Sequence, residues 1–301
     1  SSRIPPSAIS MSNEFTTRMV KERVDEFRDI LRELKSEGGA GDRFTQRNIE
    51  KQIENLEQKL GGKGKSKKRD QVFTFEEMGV DFLFIDEAHL FRKLDFATKM
   101  NNVRGIDPKG SDMSFDLFAK TRYLESINPM RSHVMASGTP VTNTMAELYS
   151  LSRYQQSQEL KDRGIDQFDA WAGAFGDTVT ALEQDPAGGY KPQTRFAKFV
   201  NVPELSTMVR QVMDIVTSKQ LEKFVVRPEL VGKKRQIVLA EPGHDLVNFQ
   251  ENLKLRMDAI SKRKGPPRKG DDILFSVIGD GRKAAIDMRL VDAGLSLDEG
   301  S

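Results

Sequence analysis

The segment Val80-Asp-Phe-Leu-Phe-Ile-Asp-Glu-Ala-His89 constrains the fold most. Its apolar and aromatic run stops abruptly at two adjacent carboxylates. A second run, His133-Val-Met-Ala-Ser-Gly-Thr-Pro140, stops in a small polar turn, with Ser137 placed 51 positions after Asp86. A strand over 80–86 is apolar on both faces, as in a parallel sheet covered by helices. Between the runs, Phe115, Leu117, Phe118, Leu124 and Ile127 space as a helix over 115–127. After the second run, Thr144-Met-Ala-Glu147 reads as a capping box opening a helix through Tyr154. Strand, helix, strand, helix is the order of a doubly wound α/β layer.

The flanks are different in character. Phe15, Met19, Val24, Phe27, Ile30, Leu31 and Leu34 predict an amphipathic helix over 14–36. After Gly38-Gly-Ala-Gly41, the residues Ile49, Ile53, Leu56 and Leu60 form a short heptad seam. Two such helices predict an antiparallel hairpin. Residues 160–200 mix Gly, Asp and aromatics without period. A helix is predicted to start at Val202-Pro203 and to run through Met208, Val212, Ile215 and Val216. A strand is expected at Ile237-Val-Leu-Ala240, a helix from about Asp245 to Ser261, and a last helix beginning near Gly281.

Composition excludes several classes. None of the 301 residues is cysteine, so no disulfide framework or thiolate metal site is available. Three histidines, His89, His133 and His244, make a histidine zinc site improbable. No apolar stretch approaches the roughly 18 residues of a membrane span. The net charge of +2 announces no polyanion partner, but the clusters 63–69 and 262–269 are strongly basic. Such clusters read either as solvated loops or as phosphate contacts. The amino end carries neither a signal-peptide core nor an initiator methionine. The expectation is a piece of a longer soluble intracellular protein.

Nucleoside triphosphate hydrolysis needs a magnesium ion, a positioned water and charge neutralisation. A strand-end aspartate suits magnesium, which takes hard oxygen ligands. A glutamate one residue further on can orient or deprotonate water. Asp86 and Glu87 fit those roles. Phe84-Ile-Asp-Glu-Ala-His89 resembles the Walker B box of superfamily-two helicases, and Ser137-Gly-Thr-Pro-Val-Thr-Asn143 resembles the third motif of their Swi/Snf-like, DEAH-box branch. Asn102-Val-Arg-Gly-Ile106, Phe115 to Tyr123, Phe168-Asp-Ala-Trp171 and Thr194 to Pro203 are similar to the helicase portion of large phage- and plasmid-borne proteins. In those proteins the helicase is often fused to an adenine-specific DNA methyltransferase. The resemblance runs from about residue 1 to residue 290.

The resemblance implies a partial first motor lobe: α/β, with a RecA-like parallel sheet and helices on both faces. An inserted helical hairpin and a mostly helical C-terminal region complete the chain. Residues 1–13 would be the residual N-terminal part of the lobe, 14–70 the hairpin with its basic loop and 71–158 the core. Residues 159–235 would form an insertion and lobe exit, including Phe224-Val-Val-Arg-Pro228, and 236–301 the lead into a second lobe, with 281–289 as its preceding helix. The implied cofactors are ATP and Mg2+. Asp86 would hold the metal and Glu87 would activate water. His89, counted with the nucleotide site, would face the other way and could couple the site to a second segment, while Ser137, Gly138, Thr139 and Asn143 would link nucleotide state to DNA contact. The implied setting is the cytoplasm of a bacterial or phage-infected cell.

The phosphate loop Gly-x-x-x-x-Gly-Lys-Ser/Thr is missing. Gly64-Lys65-Ser66 imitates it, but Lys59 stands where the first glycine should, and a charged helix rather than a buried strand precedes it. The loop is expected upstream of Ser1, and the arginine-bearing second lobe downstream of Ser301. Candidate phosphate-backbone contacts are Arg104, Lys109, Lys120 and Arg122, with Lys65, Lys67 and Lys68 in the basic loop. Phe91 and Trp171 could stack bases, although a core role suits them better. The hairpin reads as an inserted stalk or as a clamp on duplex DNA. Two functions follow: an ATP-dependent DNA helicase or translocase, or a non-catalytic helicase-like scaffold beside a methyltransferase. Whether the track is DNA or RNA stays open.

Overall fold

A computed structural model describes residues 9–37, 42–60, 73–100, 103–129, 132–142, 144–184, 190–225, 232, 237, 241–265, 267–268 and 270–292. The chain is mixed α/β and mostly helical, with a small parallel sheet. It divides into two compact units, one of residues 1–181 and 193–214, the other of residues 182–192 and 215–301.

In the first unit, α1 (Asn13–Glu37) and α2 (Asp42–Leu60) form the expected hairpin. Val20, Val24, Phe27, Ile30 and Leu34 meet Ile49, Ile53 and Leu56 in a buried seam that also takes in Ala97. Arg28 pairs with Glu57 at 2.6 Å and Lys35 with Glu50 at 3.0 Å. A step up one helix therefore matches a step down the other, which fixes the antiparallel sense.

The sheet pairs β1 (Leu83–Ile85) with β2 (His133–Met135) in parallel, with Leu83 opposite His133, Phe84 opposite Val134 and Ile85 opposite Met135. Between them runs α3 (Asp112–Ile127). It starts a turn before the predicted position because Ser111 caps it, accepting from the Ser114 amide at 3.1 Å. One face of the sheet meets a core of Phe15, Met19, Phe75, Ile85, Leu117, Phe118, Leu124 and Tyr154. On the other face Phe84 is 83% exposed and Val134 48%.

A second core gathers α4 (Ala146–Gln155), α5 (Ser157–Asp162), α6 (Phe168–Phe175) and α7 (Val202–Arg210) with the first-unit part of β4 (Tyr190–Phe199), which pairs with β3 (Gly176–Gln184). Phe168, Trp171, Phe175 and Phe196 are buried there. The segment without period thus contributes four aromatic side chains to a core. α7 stops at Arg210, short of its predicted end, and Val212, Ile215 and Val216 are exposed.

The second unit contains α8 (Ser218–Leu221), α9 (His244–Lys262) and α10 (Leu274–Ala284). Arg256 joins Asp272 at 2.5 Å and Asp280 at 2.9 Å, fastening α9 to α10 and its approach. α10 begins well before Gly281 and ends near it, which corrects the helix expected over 281–289. A 3-10 turn over Met288–Leu290 follows. Residues 226–228 of the expected lobe exit, and 238–240 of the expected strand, lie outside the described residues.

Candidate functional site

Parallel strands deliver their carboxyl ends to one edge of a sheet. Here the pairing continues past both strands. The Ala136 amide donates to the Ile85 carbonyl at 2.8 Å, and the Ala88 amide donates to the Ala136 carbonyl at 2.9 Å. Asp86 and Ser137 therefore leave the sheet at the same rim. Ala88 and Phe91, both buried, anchor the 3-10 turn Ala88–Phe91 that follows. Between sheet and anchor, Glu87 takes a left-handed backbone at φ 53°. That region is costly for a side chain with a Cβ and persists where neighbours over-determine it. Asp86 Oδ1 accepts from the Glu87 amide at 2.9 Å, and the Glu87 carbonyl accepts from the Leu90 amide at 2.9 Å.

His89 spans the rim. Its Nδ1 lies 3.1 Å from Ser137 Oγ and 3.1 Å from Glu87 Oε2. Ser137 Oγ also accepts from the Thr139 amide at 3.1 Å. The hydroxyl keeps a proton and a lone pair, so it meets either state of Nδ1. The two motifs, far apart in sequence, share one side-chain cluster.

Arg92 extends the cluster. Its Nη1 donates to the Thr139 carbonyl at 3.0 Å, and its Nε lies 3.2 Å from Glu147 Oε1. Glu147 Oε2 in turn accepts from the Thr142 amide at 2.8 Å. The expected capping box is therefore not formed. Thr144 sends its hydroxyl to the Gly105 carbonyl and accepts from the Ala146 amide at 3.2 Å. The sequence reads Glu147 as part of a cap. The local spacing of Thr144 and Glu147 was the stronger signal, and nothing in it announced the partner across the rim.

Asp86 fits a magnesium role in its chemistry. One carboxylate oxygen is taken by a neighbouring amide, Oδ2 is left for a metal or its water, and the residue is exposed. Among the described residues no group of three or more His, Asp or Glu is placed to hold a metal by itself. Magnesium commonly completes its shell with water and substrate phosphates.

The other candidates scatter. Gly138 is exposed, with open space where a Cβ would stand. Asn143, Lys65, Lys67 and Lys68 lie outside the described residues. Arg104 is exposed, and its backbone bridges to β4 through the Thr194 carbonyl at 2.8 Å and the Phe196 amide at 2.9 Å. Lys109 is exposed too. Lys120 and Arg122 are corrections. The Lys120 side chain is buried, bonded to Asp116 at 2.6 Å and packed on the Phe75 ring. Arg122 lies against the Phe118 ring, pairs with Glu125 and donates to the Tyr154 carbonyl at 2.9 Å. Neither cation faces a solvent-borne phosphate. Phe91 and Trp171 are buried in the core.

Residues 6–217 match the family described as "Probable helicase domain". The chain belongs to this helicase-domain family. The match takes in α1 to α7, β1 to β4 and the rim. The helicase domain is also similar to the "Defense against restriction protein B" of Escherichia phage P1, with 24% identity over 200 residues. That alignment covers 65% of the chain and 9% of the phage protein's length. No solved structure matches. No helix among the described residues is long and apolar enough to cross a membrane.

Proposed function

We propose that this helicase domain is part of the first motor lobe of an ATP-dependent DNA translocase of the Swi/Snf-like, DEAH-box branch. The carrying observation is His89, which touches the glutamate of one strand end and the serine of the other. A motor must make hydrolysis at the nucleotide felt at the track. In this reading a histidine between Glu87 and Ser137 does so. Asp86 would hold magnesium, and Glu87 would orient the attacking water. Ser137, Thr139 and Asn143 belong to the segment that reports to DNA. When bound, ATP and Mg2+ supply the phosphoryl group and the charge that stabilises its transfer. The chain's own residues position water, hold the metal's oxygen ligand and fix the rim.

The chain contains no Gly-x-x-x-x-Gly-Lys-Ser/Thr string. The reading therefore assigns the phosphate loop and the second lobe to flanking sequence of a longer protein, which is also where a methyltransferase would sit. Duplex DNA is the proposed track, gripped through its phosphates, with Arg104 and the basic loop at 65–68 as remaining contacts. The test is ATP hydrolysis by the parent protein, with and without duplex DNA. Glu87→Gln should lower DNA-stimulated turnover by about a hundredfold or more, the scale of a lost general base. Unchanged turnover would remove Glu87 from the chemistry. Absence of any ATPase activity in the parent would favour the non-catalytic scaffold. The isolated 301-residue chain should not turn over ATP above background. Hydrolysis by it that Glu87→Gln abolishes would overturn the assignment of the phosphate loop elsewhere.

A further inference from the structure

The segment 137–142 leaves β2 with little packing of its own: Gly138 and Thr139 are exposed and Val141 is 36% exposed. Two side chains nonetheless pin its backbone. Arg92 donates to the Thr139 carbonyl at 3.0 Å, and Glu147 accepts from the Thr142 amide at 2.8 Å. The same two side chains meet each other at 3.2 Å, with only 14% and 10% of their surfaces exposed. Each is rooted in rigid structure. Arg92 follows the buried Phe91 and precedes the buried Leu94, while Glu147 sits in the first turn of α4 between buried Ala146 and the core residue Tyr149.

We infer that Arg92 and Glu147 form a positioning clasp that holds the 137–142 segment against the acidic box, so that displacement of either strand end moves the other. This inference rests on the motor reading above and names two residues beyond the nucleotide motifs. The guanidinium fork suits the task, because one planar group spans the loop carbonyl and the carboxylate together. Both residues act through Ser137, whose bond to His89 depends on where the segment lies.

The test uses the parent protein with Arg92→Met, Glu147→Gln and the double variant, each first shown to be folded by thermal melting. The KM for ATP should stay within about twofold, while DNA-stimulated kcat falls about tenfold, a typical coupling between two sites. The double variant should be no worse than either single one, because the two side chains act as a unit. A destabilised but otherwise intact domain would instead lose kcat with and without DNA in equal proportion. Amide exchange in peptides covering 86–92 and 137–142 reads the clasp without ATP. Glu147→Gln should raise exchange in both peptides. Folded single variants with wild-type exchange in both peptides overturn the clasp, as do losses that simply multiply in the double variant. A parent protein that hydrolyses no ATP would sink the motor reading, and exchange would still decide the clasp.

Discussion

Arg122 and His133 show how a residue's surroundings set its chemistry. Arg122, expected at a phosphate backbone, lies within the first unit, donating to the Tyr154 carbonyl. His133 begins β2 and bonds Ser132 Oγ through Nδ1 at 2.8 Å. Burial, and then the nearby Arg122 charge, push the His133 imidazole down to about 4. The native state therefore stays neutral where the unfolded chain, with an ordinary value near 6.5, takes up a proton. The unfolded state binds the extra proton between roughly pH 4 and 6.5, so stability rises with pH across that window and falls on acidification through it. The full shift corresponds to at most about 3 kcal/mol. Urea midpoints should drop between pH 7 and 5 for the wild type, and less steeply for His133→Gln, which keeps a polar side chain and loses the titration. Parallel pH profiles would show that His133 is solvated rather than shielded.

At the scale of elements, the α1–α2 hairpin was legible because its partner lies next in sequence. The spacing of Val24, Phe27 and Ile30 against Ile49 and Ile53 carries both helices and their pairing. The β1–β2 pair was legible for another reason: an apolar run ending in charge can only deliver that charge to a rim. Residues 160–200 were not legible. Phe168, Trp171, Phe175 and Phe196 pack across α6 and β4, and no local period records that contact. α10 misled for a related reason. The sequence reads Gly281 as a helix start, yet it lies within the helix, where a Cβ would come within 3.2 Å of Leu253 Cδ1 on α9. Gly176 is the sharper case, since a Cβ there would fall on the Phe196 ring as β3 leaves α6. Gly176→Ala should cost about 1–3 kcal/mol by overpacking, seen as a lower urea midpoint at unchanged denaturant slope. An unaltered midpoint would mean that the aromatic core yields to a methyl group.

For the whole molecule, the open question of surface is the outer face of the parallel pair. Phe84 and Val134 stand opposite each other, largely in solvent, and the Phe84 ring leans on Phe82 at 4.8 Å between centroids. The sequence reads this strand as apolar on both sides, and among the described residues only one side has found its core. An apolar face on a short parallel pair is an association hazard, because exposed strands recruit other chains. The isolated chain should self-associate, and Phe84→Ser should reduce light scattering at equal concentration. Phe84 is 83% exposed, so the same change should leave the melting temperature almost unmoved. The rim is held by backbone bonds from Ile85, Ala88 and Ala136, so His89 should keep its place beside Ser137. Undiminished scattering would locate the sticky surface elsewhere. A fall in melting temperature of several degrees would mean that Phe84 is packed in solution, with its face already covered.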